Sequence, residues 1–524
     1  MAVASICSRD INQRWWGRCI CEVTLMPFEF LAPEQAWKEL VRYRDGYYRQ
    51  YAAAYSGDRK ELRATASPGS FWKRASKCKI HVPIAADIAA TSADLLFAEE
   101  TGFACYDEAT EDNESAQQHR LDSLVLLNNL HGKLNEAAET SAALGDVCLK
   151  LNWNPDEIPY PVLTVVQGDS AWPEYLFGVL QGIHFFSVIR YDADKGKCLR
   201  IYERYEKGRI LMALYEGTAN ELGVRLSDEA LAGYGYSPEI TAPVDEMLAV
   251  HVPNIRPNRR YRDSQHGRSD FDELRDMTDS LDEAYSSWMR DIRLAKARLI
   301  VPAEYLKRKD VIAEQLGGKQ FTYEFDEDVE TLVALDIDTQ YAGSNPITPS
   351  QFEIRSTEHA ATCADLLHNI VSIAGYAPQT FGMDIDGMAQ SGTALHIREK
   401  KSYNTRGKKI SYWRAPLEAI MTAMIHLDAV LFPNEGSDLD DTVKVSFPDS
   451  MSNDLSTVSA ALQMINAAAA VSTEIKVAML HPDWTKKQVA EEVERIKTET
   501  GLSVINPDMG LGDFENSVTV TEEE

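Results

Sequence analysis

The chain is poor in positive charge: 53 Lys and Arg stand against 81 Asp and Glu, a formal net charge of −28 over 524 residues. Duplex DNA carries about one negative charge per 1.7 Å of axis, so tight equilibrium binding over a broad face is disfavoured by repulsion. No apolar run reaches the ~18 residues that a membrane-spanning helix needs, and residues 1–25 lack the apolar stretch of a secretory signal. A cytoplasmic protein without membrane contact is expected. The eight cysteines (Cys7, Cys19, Cys21, Cys78, Cys105, Cys148, Cys198 and Cys363) are scattered, and Cys19 with Cys21 makes only C-x-C. That spacing suits reduced thiols better than a disulfide framework or a zinc ribbon. No metal site and no cofactor are expected.

Catalytic signatures are equally scarce. Gly317-Gly318-Lys319-Gln320 lacks the leading glycine and the Ser/Thr of a phosphate-binding loop. Asp384-x-Asp386-Gly387 shares a fragment with calcium loops without the later ligands, and reads as a turn. Ser70-Phe71-Trp72-Lys73 matches S-x-x-K without its companion motifs. None of the eleven histidines forms H-E-x-x-H, and His359 and His368 fall on a helical pattern as packing or surface residues. No catalytic residue is assigned, and an enzyme is not expected.

What the chain does have is 44% hydrophobic content, enough for three or four structural units, and one local reversal of sign. Arg398, Lys400, Lys401, Arg406, Lys408, Lys409 and Arg414 oppose only Glu399. Such a cluster on an acidic protein suggests transient contact with a polyanion at a few points. Two plainer readings stand beside it: a solvated surface helix, or salt bridges to an acidic neighbouring subunit.

Periodicity divides the chain as α+β. Helical spacing marks residues 33–56, 84–97 and 121–144. Alternating or β-branched stretches at 147–152, 162–166, 183–191, 199–207, 209–216 and 250–253 read as strands. The clearest amphipathic pattern runs through Phe271, Leu274, Met277, Leu281, Tyr285, Trp288, Ile292, Ala295 and Leu299, with Ser269 and Asp272 as a capping pair. Short β pieces at 299–301, 320–325 and 330–335 follow, then a helix opened by Thr348 and Pro349 and stopped by Gly375 and Pro378. A third helical pattern covers 388–431. Gly407 and Pro416 interrupt it, so a break or loop within 399–416 is expected. A strand at 443–447 precedes helices at 455–471, up to 480, and 485–500, and the acidic residues beyond are expected to lack fixed structure.

This order resembles the portal proteins of tailed bacteriophages, over roughly residues 27–501. Lys79-Ile80-His81-Val82-Pro83-Ile84-Ala85-Ala86-Asp87-Ile88-Ala89, continuing through Ser92-Ala93-Asp94-Leu95-Leu96-Phe97, looks like the family's N-terminal core helix. Gly267-Arg268-Ser269-Asp270-Phe271 with Asp279-Ser280-Leu281-Asp282-Glu283-Ala284-Tyr285 looks like its first stem helix, and Gln390-Ser391-Gly392-Thr393-Ala394-Leu395 resembles the start of its tunnel helix.

The resemblance implies a portal-like protomer: a mixed α/β wing at 26–266, two long stem helices at 267–298 and 348–376 bracketing a small β clip at 299–347, a tunnel helix or loop with the return to the wing at 377–447, and a helical crown at 448–501. Residues 1–25 have no counterpart in the resemblance; their change of character leads to the expectation of a mobile arm or of a natural start at Met26, and 502–524 form the acidic tail. The implied assembly is a ring, a dodecamer, at one capsid vertex of the virion, built in the host cytoplasm. Its implied partners are double-stranded DNA in transit, the terminase packaging motor, a head-completion or tail adaptor, and the major capsid and scaffold proteins. Lys400, Lys401, Arg406, Lys408 and Lys409 would touch DNA, while Leu281, Tyr285, Trp288 and Ile292 would be buried by neighbouring subunits. Two other classes stay open on sequence alone: a metal-dependent enzyme acting on nucleic acid through carboxylates that converge in space, and a capsid scaffold or adaptor without a channel.

Overall fold

The computed structural model describes residues 29–74, 79–106, 116–295, 298–300, 308–311, 320–323, 348–350, 354–383, 392–433, 442–448, 462–466, 471–480 and 486–499. The chain divides into two compact units, one of residues 1–388 with 397–447 and one of 389–396 with 448–524.

The first unit opens with α1 (Pro33–Tyr43), whose Pro33 sits where a missing N–H costs nothing. A π turn, Arg44–Tyr48, leads into α2 (Arg49–Ser56), followed by α3 (Arg59–Thr65), which is capped by Asp58. The extra residue in the π turn sets Tyr43, Tyr47, Tyr48 and Tyr51 together on the buried side. Helix α4 (Ile84–Phe97) has the bounds that periodicity predicts, and it buries Ile84, Ala85, Ile88, Ala89, Ala93, Leu96 and Phe97. After β1 (Gly102–Tyr106), the pattern expected as one helix at 121–144 is two, α5 (Ala116–Leu127) and α6 (Leu130–Leu144). They part at Asn129, which adopts the left-handed conformation that asparagine tolerates. Helix α4 packs on α6, where alanines on both helices allow close approach.

Strands then dominate: β2 (Asp146–Asn152), β3 (Val162–Gln167), β4 (Ala171–Leu176), β5 (Val179–Asp192), β6 (Lys197–Glu206), β7 (Arg209–Gly217), β8 (Val224–Arg225), β9 (Glu239–Thr241) and β10 (Ala249–Pro253), with a short α7 (Asp228–Ala232) before β9. They form two antiparallel sheets, β10-β2-β3 and β4-β5-β6-β7-β8, with β9 also paired to β7. The continuous apolar burial of Val147, Cys148, Leu149 and Leu151 shows that both faces of β2 are covered.

Helix α8 (Arg275–Leu294) is shorter than the sequence pattern suggests, 20 residues or about 30 Å. Residues 269–274 do not join it, because Glu273 is left-handed and Asp270 and Asp272 are drawn into hydrogen bonds elsewhere. Strands β11 (Arg298–Ile300) and β14 (Thr348–Ser350) pair with each other, as do β12 (Arg308–Val311) and β13 (Gln320–Tyr323). Thr348 and Pro349 are therefore in a strand and do not open a helix; α9 (Ser356–Ala374) begins six residues after Ser350, and Gly375 ends it at φ 104°. The β piece expected at 330–335 lies outside the described residues, as do the turn at 384–387, most of the helix expected at 455–471, the N-terminal extension and the acidic tail.

Helix α10 (Gly392–Leu431) is continuous through Gly407 and Pro416, against the expected break. Proline in a helix interior is unfavourable by about 3 kcal/mol. Here the following turns bury Leu417, Ile420, Met421 and Met424 completely, each worth about 1.5–3 kcal/mol of hydrophobic stabilisation, so packing outweighs propensity. Arg120 of α5 grips Asp428 of α10 through two 2.7 Å hydrogen bonds, and β15 (Thr442–Ser446) returns to pair with β1. In the second unit, helices Thr473–Leu480 and Lys486–Glu499 meet through Val477, Val489 and Val493.

Gly407 is exposed, and a methyl group there would meet no atom within 4 Å apart from its chain neighbours and the adjoining helix backbone. Gly407→Ala should therefore raise stability by about 0.5–1 kcal/mol in urea unfolding, the usual gain in a helix interior. A loss of stability would mean that residue 407 is not helical.

Candidate nucleic-acid interface

Within α10 the helical period sorts the basic cluster by direction. Lys400, Lys401, Asn404, Gly407, Lys408, Ser411 and Arg414 recur at three- and four-residue steps and are exposed. Ser402, Thr405, Arg406, Lys409 and Trp413 lie on the opposite side and are buried. Of the five cations expected to touch DNA, Arg406 and Lys409 are buried with side chains engaged within the protomer, while Lys400, Lys401 and Lys408 are exposed. The expectation of a loop is corrected, since all five residues are helical.

The buried half is a structural clamp. Lys409 Nζ lies 2.5 Å from Asp270 Oδ2 and 2.5 Å from Ser92 Oγ on α4, with both charged side chains essentially without solvent exposure. Tyr376 donates its hydroxyl to the same carboxylate at 2.6 Å, and Asn254 donates to the other oxygen at 2.7 Å. Burial pushes the Lys409 amine below its ordinary pKa, against the raising influence of Asp270. Burial also pushes the Tyr376 hydroxyl well up, so it stays a donor. Arg406 Nε donates to the carbonyl of Leu95 at 2.6 Å, in the last turn of α4, where helix carbonyls lack internal partners. Thr405 donates to the carbonyl of Gly375, and Ser402 accepts from the N–H of Ala377. One face of α10 thus holds α4, the end of α9 and the approach to α8.

The exposed half differs in freedom. Lys401 hydrogen-bonds to the carbonyl and hydroxyl of Ser372, and the Arg414 guanidinium sits 6.0 Å from the Phe447 ring. Lys400 and Lys408 are exposed, with no acidic partner among the described residues. The two are eight residues apart, about 12 Å along the helix. Two such cations can meet phosphates, each contributing about 0.9 to the salt slope of binding to B-DNA.

The residues expected at a subunit interface also separate. Leu281 is fully buried against α9, in a cluster with Cys363, Ile370 and Val371, so its apolar surface is covered inside the protomer. Tyr285 and Trp288 are half-buried in the same cluster, with the Trp288 ring stacked on His359 at 6.1 Å and 9°. Ile292 is 41% exposed, as are Leu294 and Ile373 to similar or greater degree. Sequence reasoning missed Asp270, Tyr376 and Asn254, whose convergence on Lys409 spans up to 155 positions and leaves no local pattern. It also missed a second buried cluster of Asp146, His251 and His266.

The sequence matches the family described as "Phage portal protein, SPP1 Gp6-like" over residues 47–502, and the chain belongs to that family. Among curated proteins nothing matches. Similar solved structures include a chain of the "Virion of native gene transfer agent (GTA) particle", 12% identical with a TM-score of 0.37, covering 82% of this chain and 93% of that one. A chain of the "Neck of empty GTA particle computed with C6 symmetry" is 13% identical with a TM-score of 0.39, covering 76% and 90%. A third, from the "Neck of native GTA particle computed with C12 symmetry", is 12% identical with a TM-score of 0.35, covering 84% and 98%.

Removing one partner of the Lys409–Asp270 pair strands a buried charge, which typically costs about 3–5 kcal/mol. Lys409→Met should lower stability by that amount in urea unfolding, and Lys409→Met with Asp270→Asn should recover at least half. Equal loss in the single and double variants would show that the charges are not coupled.

Proposed function

We propose that this chain is the repeating subunit of a portal ring, a dodecamer at one capsid vertex, whose channel passes double-stranded DNA during packaging and ejection. Its role is structural, and the same ring docks the terminase motor, the head-completion or tail adaptor, and the capsid and scaffold proteins. The protein resides in the virion after assembly in the host cytoplasm. The observation that carries this reading is the family match, which spans more than four-fifths of the chain.

In this reading residues 26–266 act as wing, the segments around α8 and α9 as stem with 299–347 as clip, 377–447 as tunnel helix and return, and 448–501 as crown. The physical support is the division of α10. Two lysines per subunit without an acidic partner among the described residues, on an otherwise acidic protein, favour brief contact over retention, because repulsion elsewhere limits adhesion. Repeated around a ring, Lys400 and Lys408 would line a belt that centres a duplex without arresting it. Ile292 with Leu294 and Ile373 supplies apolar surface for a neighbouring subunit.

Negative-stain images of the purified full chain should show rings with a central hole. Compact monomers at micromolar concentration would overturn the reading. Lys400→Ala with Lys408→Ala should leave ring assembly intact and reduce DNA packaged or retained per particle. Unchanged packaging and retention would remove these lysines from DNA handling. Ile292→Asp should weaken ring formation while far-ultraviolet circular dichroism stays the same, whereas Trp288→Asp should disturb the α8–α9 pair itself. Rings that persist with Ile292→Asp would place the interface elsewhere.

A further inference from the structure

Asp146 opens β2 directly after the left-handed Gly145 and has no solvent exposure. Two imidazoles face its carboxylate: His251 Nε2 is 2.9 Å from Oδ1, and His266 Nδ1 is 3.2 Å from Oδ2. The donor atoms of all three residues lie within 4.8 Å of one another. They arrive from separate places, Asp146 and His251 on the paired strands β2 and β10, and His266 on the segment that leads to α8. Two glycines make the approach possible. A Cβ on Gly267 would fall 2.3 Å from the carbonyl oxygen of Gly145, and one on Gly145 would fall 3.0 Å from the backbone of Arg268.

Charge sharpens the question of what the cluster is for. A buried carboxylate demands a compensating cation, and no Lys or Arg among the described residues forms an ion pair with Asp146. Its hydrogen-bond donors besides the histidines are neutral: the Tyr48 hydroxyl at 2.7 Å and the Gly267 N–H at 2.7 Å. The surroundings also orient the rings. His251 Nδ1 lies 2.7 Å from the Tyr175 hydroxyl, the outer partner that a ligating imidazole usually has. The His266 ring stacks on Tyr43 at 4.5 Å and 26°, and the Tyr48 hydroxyl lies 3.4 Å from His266 Nδ1. Tyr48 itself ends the π turn, a feature that recurs at functional sites.

We propose that Asp146, His251 and His266 form a buried site for one divalent transition-metal ion of the zinc type, with the Tyr48 oxygen beside the fourth position. Two imidazoles and one carboxylate are a zinc-like donor set, whereas magnesium and calcium take oxygen ligands. Ligands at about 2.0–2.1 Å in a tetrahedron stand about 3.3 Å apart, so the two imidazole–carboxylate distances, 2.9 and 3.2 Å, need lengthen by only a few tenths of an ångström, and the three donor atoms already lie within 4.8 Å of one another. His251 would bind through Nε2 and carry its proton on Nδ1 toward Tyr175; His266 would bind through Nδ1 and carry its proton on Nε2. The site is closed to polymer substrates, so its role is to staple β2, β10 and the approach to α8.

The full chain, expressed with Zn²⁺ in the medium and purified in metal-free buffer, should hold about one zinc per chain by elemental mass spectrometry. Asp146→Asn and His266→Gln should drop this at least tenfold, while His119→Gln, at an exposed position, should leave it unchanged. Should those two variants misfold, the wild type decides: stripped by a chelator and reloaded with Co²⁺, it should show the visible spectrum of a four-coordinate ion. Less than a tenth of an equivalent in the folded wild type, or no such spectrum after reloading, overturns the proposal. So does occupancy that survives His266→Gln.

Discussion

The buried pair of Lys409 and Asp270 is the constraint on which the arrangement of the helices depends. An ion pair removed from water is favourable only when its geometry is good and its remaining valences are filled. Both conditions are met, since Ser92, Tyr376 and Asn254 complete the hydrogen bonding. Because these partners come from α4, from the residue after the α9 cap and from the segment after β10, the pair sets the rotation of α10 about its own axis. That rotation decides which cations face outward.

A helix has one period, and the basic cluster obeys it. With Lys409 fixed inward, Lys400 and Lys408 must point out, and Arg406 must fall near the end of α4, where its guanidinium satisfies a helix carbonyl. Part of the positive charge is thus consumed in holding the protomer together, and a smaller part is left for partners. A protein that neutralises many phosphates binds DNA tightly and loses it steeply with salt. In the proposed function, two lysines per subunit on an acidic surface would do neither, a balance suited to a duplex that must move.

Much of the fold was legible from local patterns. Helix α4 appears within its predicted bounds because Ile84, Ile88, Leu96 and Phe97 recur at helical spacing, and Gly375 ends α9 through its left-handed conformation. What was illegible depends on distant partners. Pro416 looks like a helix breaker until the burial of Leu417 and Ile420 is known. Thr348 and Pro349 look like a helix start until their strand pairing with Leu299 and Ile300 is seen. Lys409 resembles its exposed neighbour Lys408 in every respect except the direction that Asp270 imposes. The Asp146 cluster joins positions 105 and 120 residues apart, so no window along the chain contains it.

A high-resolution cryo-electron microscopy reconstruction of the purified assembly measures the direction of these side chains in the state that functions. The account requires a closed ring in which Lys409 stays within hydrogen-bonding distance of Asp270 while Lys400 and Lys408 border the central opening. A ring with Lys409 released into the opening, or with Lys400 and Lys408 on its outer perimeter, would contradict it.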